Sequence, residues 1–165
     1  MTEFRASELS DADALQQIWR NAVDATHDFL SPEDREEIDP LVAEYVRTVE
    51  LVVAIVDGAP VAFMGVTGQN IDSLFIDPKA HGKGIGRLMA DRVGLPATVD
   101  VNEQNEAAVA FYRHLGFEVV GRSEQDGEGR PYPLLHLLRR QTSSTRRPSA
   151  ARRLSVDSAA ESSRP

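Results

Sequence analysis

Apolar positions along this chain keep two rhythms, and the places where one gives way to the other mark out an architecture. Leu15, Ile18, Trp19, Ala22 and Val23 recur at helical spacing, and Ser10-Asp11-Ala12-Asp13 ahead of them offers a serine cap with an acid three residues on, so a helix is predicted from Ser10. Residues 26–30 break that stripe. Ser31-Pro32-Glu33-Asp34 then opens a second helix with Pro at its first position, and Asp39-Pro40 reads as a further start, so the apolar stripe Ile38, Leu41, Val42, Tyr45, Val46 and Val49 is expected on two short helices divided near Asp39. From residue 51 the rhythm shortens. Residues 51–56 and 61–66 are β-branched runs joined by Asp57-Gly58-Ala59-Pro60, a hairpin signal, and residues 69–76 make a third strand of an antiparallel meander, with a shorter strand expected earlier at residues 4–6.

The helical period returns twice more. Ile85, Leu88, Met89 and Val93 form a short helix that stops at Gly94-Leu95-Pro96, and after a strand over residues 95–101 Asn102 is expected to cap a helix with Ala108, Phe111, Tyr112 and Leu115 on its apolar face. Gly116 closes it. In a Schellman cap with Gly116 just past the helix end, Tyr112 and Phe117 occupy the two positions that pack together. Residues 118–122 and 134–138 supply two last strands around the turn-rich residues 125–131. After Arg140 the chain is mostly Ser, Thr, Ala, Arg and Pro, and its only large apolar residues are one Leu and one Val, which cannot build a core. The reading is therefore one domain over residues 1–140 and a disordered tail over 141–165.

Composition narrows the chemistry. With 41% hydrophobic residues the chain can bury a single core, and the absence of cysteine excludes disulfides, thiolate metal sites and a cysteine nucleophile. No stretch has the length of a membrane span and no signal pattern opens the chain, so a cytoplasmic protein is expected. The net charge of −8 is uneven: residues 139–165 hold seven Arg against Asp157 and Glu161, which leaves the folded part more acidic than the whole. That disfavours nucleic acid as a partner and attracts cationic molecules. In the tail, Arg146-Arg147-Pro148-Ser149 and Arg152-Arg153-Leu154-Ser155 place a serine after paired arginines, a pattern open both to a basophilic kinase and to accident of composition.

Residues 74–92, LFIDPKAHGKGIGRLMADR, carry the first chemical signal: a strand runs into a turn punctuated by Gly82, Gly84 and Gly86, and then into a helix. Without Cβ atoms the turn can present consecutive N–H groups to an anion at the positive end of the helix dipole. The P-loop spacing is missing, and Arg87 and Met89 stand where a dinucleotide fingerprint needs its third glycine. What remains resembles the pyrophosphate loop of the GNAT acetyltransferases, Gln/Arg-x-x-Gly-x-Gly/Ala after a strand, with His81 as a departure at the first position. A second motif follows in family order. Asn105, Ala108, Phe111, Tyr112, Gly116 and Phe117 match the GNAT signature Asn-x-x-Ala-x-x-Phe-Tyr-x-x-x-Gly-Phe. With its Thr-His-Asp-Phe-Leu-Ser stretch at residues 26–31 and its Arg-Pro-Tyr-Pro ending at 130–133, the chain is most similar within that family to the YjaB-type bacterial N-acetyltransferases.

The resemblance implies an α/β (α+β) GNAT fold: a mixed, mostly antiparallel sheet of six to seven strands, splayed at the cofactor site and flanked by four to five helices. It implies acetyl-CoA as co-substrate and no metal, with direct transfer to a primary amine, either a peptidyl-lysine or a small cationic amine. The pyrophosphate would lie on the amides from Gly82 through Arg87, with Ile85 and Gly86 between them and His81, Lys83 and Arg87 adding side chains. The pantetheine arm would run along Leu74, Phe75 and Ile76, with the backbone N–H near Phe75 donating to the thioester carbonyl and Asn102, Asn105, Ala108 and Tyr112 opposite; for Asn105 the alternative is simple capping of the helix start. Tyr112 would act as general acid towards sulfur, against packing alone. Asp72 is the candidate base, two positions from Leu74 and hence on its face, against a solvent carboxylate or a water path. His27 and Tyr132 are the candidate substrate contacts, against a solvated loop histidine and an aromatic packed under the last hairpin. A monomer or homodimer fits, and a non-catalytic acyl-CoA sensor on the same fold is the alternative function.

Overall fold

The computed structural model describes residues 1–26 and 28–141; His27 and the expected tail beyond residue 141, with its two serine motifs, lie outside the described residues. Seven strands form one sheet: β1 (Thr2–Ala6), β2 (Val52–Val56), β3 (Ala59–Thr67), β4 (Asn70–Ile76), β5 (Ala97–Asn102), β6 (Glu118–Ser123) and β7 (Leu134–Arg139). They run in the order β1-β2-β3-β4-β5-β7-β6, antiparallel except where β4 meets β5. Four α-helices lie among the described residues: α1 (Ala12–Thr26), α2 (Pro32–Thr48), α3 (Ile85–Ala90) and α4 (Glu106–His114). α1 and α2 cover β2 and β3 on one face through Leu15, Trp19, Val53 and Phe63, while α3 and α4 bury Ile85, Met89 and Tyr112 against Met64, Ile71, Val99 and Leu137 on the other.

The β2–β3 turn tightens to Asp57-Gly58, both at positive φ (53° and 82°), as a two-residue hairpin requires. α4 closes as its pattern predicts: the Phe117 N–H donates to the Tyr112 carbonyl and the Gly116 N–H to that of Arg113, with Gly116 at φ 101° and the Tyr112 and Phe117 rings 5.3 Å apart.

Three expectations are corrected. Residues 32–48 form a single helix, not two divided near Asp39. Pro40 lies on the exposed side, where the carbonyl left without its N–H partner is open to water, and Asp39 is clasped from α1 by Arg20 and Gln16. α1 is preceded by a 3-10 turn, Leu9–Asp11, entered from Glu8 rather than capped by Ser10, because the Asp11 carboxylate accepts the Glu8 N–H and pairs with Arg5. The cap of α4 is Asn105, whose side chain accepts the Ala108 N–H at 3.1 Å, while Asn102 ends β5.

Between β4 and β5 the sheet opens. Their parallel pairing is confined to Asn70 with Thr98 and Ile71 with Val99, after which the strands diverge. Ser73 stands opposite Gly65 but Ile71 opposite Val66, so Asp72 is an extra residue in β4, and such a bulge bends its strand at the point where pairing ends. That bulge also breaks the two-residue alternation that was to place Asp72 on the face of Leu74.

Candidate active site

A cavity of about 630 Å³ fills the V between β4 and β5. Leu74, Phe75 and Ile76 form one wall and Val99 to Asn102 the other; Asn105, Ala108, Phe111 and Tyr112 close it from α4, and Ala22 and Thr26 from α1. At its open end lie His81, Gly82, Gly84, Ile85, Gly86 and Arg87. Lys83 is exposed and does not line it.

The turn is a built cradle. Gly82 and Gly84 take φ of 81° and 76°, and a Cβ on either would meet nothing within 4 Å, so the strained backbone faces open space. The first bond of α3 runs from the Leu88 N–H to the Gly84 carbonyl at 3.1 Å, which leaves the amides of Ile85, Gly86 and Arg87 ahead of it without intrahelical acceptors. Gly86 has a different reason to be glycine: a Cβ there would stand 2.9 Å from both Ile76 Cδ1 and Phe111 Cζ, where α3 presses on β4 and α4. These features fit a phosphorylated ligand, held by backbone N–H groups with Arg87 and His81 adding side-chain donors.

Asp77, which sequence reasoning passed over, fastens the turn. It is 7% exposed, its carboxylate accepts the Lys79 N–H at 3.1 Å and the Asn21 side-chain amide at 3.2 Å, and its own N–H donates to the Val61 carbonyl. The loop is thereby tied to α1 and β3 at once. Ser73 anchors the bulge in a similar way, with its hydroxyl accepting the Gly65 N–H and lying 2.8 Å from the Tyr45 hydroxyl.

Tyr112 is 6% exposed, its ring lies between Phe111 and Phe117, and burial pushes its phenol well above the ordinary range. Among the described residues its hydroxyl has no hydrogen-bond partner, although the side chain lines the cavity. A buried hydroxyl left unpaired costs free energy unless something else meets it, and the cavity is where that partner would sit.

The remaining expected residues are placed differently. Asp72 lines the cavity but is exposed, and its two oxygens accept from the Thr67 hydroxyl and the Asn70 amide at the β3–β4 end. Tyr132 does not line the cavity: its hydroxyl accepts the Ser31 N–H at 3.1 Å and donates to Asp34, and its ring meets Phe29 edge-on at 5.9 Å. It straps the β6–β7 connection onto the start of α2, a contact between positions a hundred residues apart that no local pattern announces. That hydroxyl, ahead of the Arg130 charge, holds the Asp34 carboxyl below the usual range. No group of metal-ligating side chains occurs among the described residues, and none of their helices is long and apolar enough to cross a membrane.

Comparison with known proteins agrees with this geometry. The family model described as the Acetyltransferase (GNAT) domain matches residues 47–119, from the end of α2 to the start of β6. The peptidyl-lysine N-acetyltransferase YjaB of Salmonella typhimurium is 46% identical over 142 residues, covering 84% of this chain and 98% of that protein. This chain belongs to the GNAT acetyltransferase family. The Escherichia coli protein of the same name is 47% identical over 138 residues. The solution structure of its apo form superposes with a TM-score of 0.81 at 45% identity, over 84% of this chain and 97% of that one. The GNAT fold extends to a structure of yncA from Salmonella typhimurium with acetyl-CoA, at a TM-score of 0.60 and 20% identity over 84% of this chain and 92% of that one.

Proposed function

We propose that this chain transfers the acetyl group of acetyl-CoA directly to a primary amine, a peptidyl-lysine or a small cationic amine, with both substrates bound together. The observation that carries the reading is the cavity between β4 and β5, which joins the glycine cradle at one end to the unpaired Tyr112 hydroxyl. Names and coverage of the YjaB relatives support the same activity and the lysine acceptor. A ternary complex follows from the chain's lack of cysteine, which removes the usual acyl-enzyme nucleophile.

Acetyl-CoA, when bound, supplies an acetyl group activated as a thioester. The amides of residues 82–87 hold its pyrophosphate, Arg87 and His81 contribute charge and hydrogen bonds, and the unpaired edge of β4 along Leu74 to Ile76 accompanies its pantetheine arm, with Asn105 and Ala108 facing it. Main-chain donors just past the Asp72 bulge polarise the reacting carbonyl, since β5 has diverged and leaves that edge without ladder partners. Tyr112 stays protonated because burial disfavours its anion, and its hydroxyl delivers a proton to the departing sulfur. The acceptor's proton leaves through water, because hydrogen bonds from Thr67 and Asn70 occupy both oxygens of Asp72, the bulged residue itself.

Thiol release from acetyl-CoA, measured with a panel of lysine peptides and small amines, tests the reading. Tyr112→Phe is expected to lower kcat by about a hundredfold or more while leaving the affinity for coenzyme A unchanged. Micromolar coenzyme binding without turnover on any amine would make the chain an acyl-CoA binding module instead.

A further inference from the structure

On the sheet face that α1 and α2 share, three polar side chains stand in a row across β5, β7 and β6. Val99 and Val101 point into the core beneath α3 and α4, so Asp100 between them points to the opposite face, as does His136 between Leu135 and Leu137. No residue of β5, β6 or β7 joins the cluster that α1 and α2 bury, which leaves this part of the face uncovered by that core. Asp100 and His136 are directly opposed in the β5–β7 register. His136 Nδ1 lies 2.6 Å from Asp100 Oδ1, and its Nε2 lies 2.7 Å from the Ser123 hydroxyl.

The hydrogen-bond roles follow from the chemistry of the groups. A carboxylate only accepts, so Nδ1 carries the proton and donates to Asp100; in the neutral ring Nε2 then accepts from Ser123. The order matches a hydrolase relay, but the end that reaches the cavity is the wrong one for that chemistry: Asp100 lines it and Ser123 does not. The serine and imidazole therefore serve the carboxylate. They fix its orientation through Oδ1, while no hydrogen bond or ion pair engages Oδ2 among the described residues, and the side chain is 54% exposed.

Position gives the free oxygen a use. Asp100 is the first residue of β5 past the last pair with β4, at the apex of the V, with the glycine cradle at the opposite, open end. Ala22, Thr26 and Phe75 line the same cavity from the α1 side, offering apolar and weakly polar surface suited to an alkyl chain. The free oxygen offers a cationic donor an acceptor that neither His136 nor Ser123 occupies. We propose that Asp100, aimed by His136 and Ser123, is the docking carboxylate for the ammonium of a primary alkylamine acceptor such as a lysine side chain. The inference rests on the acetyl-transfer reading for its biological use, though not for its measurement.

Titration of the full chain with Nα-acetyl-lysinamide, followed through the His136 imidazole resonances, tests it; Nα-acetyl-norleucinamide is the uncharged isostere. Lysinamide should shift those resonances saturably and norleucinamide should not. Asp100→Asn, which keeps an acceptor for His136 and removes the charge, should weaken lysinamide binding about tenfold or more, with Asp100→Glu partly restoring it. His136→Asn should weaken it by less, and coenzyme A affinity should stay level throughout. Equal lysinamide affinity in Asp100→Asn, or no saturable shift in the wild type, overturns the proposal. Parallel turnover separates the two readings. Asp100-dependent binding without acetyl-CoA consumption leaves this site standing and removes the transferase; transfer with an unchanged lysinamide KM in Asp100→Asn does the reverse.

Discussion

Under the proposed transfer, Tyr112 joins packing and chemistry in one side chain. Its ring fills the Schellman contact with Phe117 while its hydroxyl has no partner among the described residues, so Tyr112→Phe is expected to cost little packing and, under the proposed transfer, much catalysis. Asp72 is the contrasting case. Its spacing from Leu74 made it a plausible base, but the extra residue in β4 turned it towards Thr67 and Asn70. Asp72→Asn is therefore expected to keep the acidic limb of the pH profile of kcat/KM; loss of that limb would restore Asp72 as the base. Asp77 acts at the same scale without touching the reaction. Asp77→Ala removes the cap on the Lys79 N–H and the link to Asn21, and should cost about 0.5–2 kcal/mol in urea unfolding while raising the KM for acetyl-CoA.

Among the elements, α3 is short enough that its placement depends on what presses against it. Gly86→Ala would push a methyl into Ile76 and Phe111, with an expected loss of about 1–3 kcal/mol, and would move the cradle away from β4. Calorimetry and coenzyme titration should register both effects. Ion pairs join α1 to α2, among them Arg20 with Asp39, Arg35 with Asp24 and Arg47 with Asp13. The Arg20 guanidinium, with help from Gln16, holds the Asp39 carboxyl below its ordinary value of 3.8, and Arg5 does the same for Asp11. A depressed folded pKa means that the unfolded chain binds more protons as pH falls, so this stability is complete above about pH 4 and is lost as pH drops through the folded values. Urea midpoints should fall below that pH, and Asp39→Asn should flatten the fall. Continuity of α2 through Pro40 belongs here too: a break signal of ordinary local strength gave way because the unpaired carbonyl faces water and α1 holds the neighbouring residue.

At the scale of the whole molecule, function comes from an interruption. Six strand junctions hold the sheet together, and the one parallel junction, β4 with β5, fails after two pairs and leaves a slot that α4 lines on one face and α1 on the other. The cradle meets that slot from the α3 side and Asp100 from the α1 side, so under the proposed transfer the coenzyme and the amine would approach it from opposite faces. The sequence alone determined the elements whose causes are local: the hairpin at Asp57-Gly58, the glycine turn into α3, the closure of α4 at Gly116, and the two motifs that mark a GNAT acetyltransferase. Each is set by backbone constraints or by side chains within a few residues of one another. Tertiary structure decided the rest, because the partners lie far apart in the chain. The insertion of β7 between β5 and β6, the strap from Tyr132 to Asp34, the anchoring of Asp77 by Asn21 and the row from Asp100 through His136 to Ser123 are all contacts of long separation. No periodicity encodes such contacts, since a side chain's alternation says which face it takes but not which strand will lie beside it.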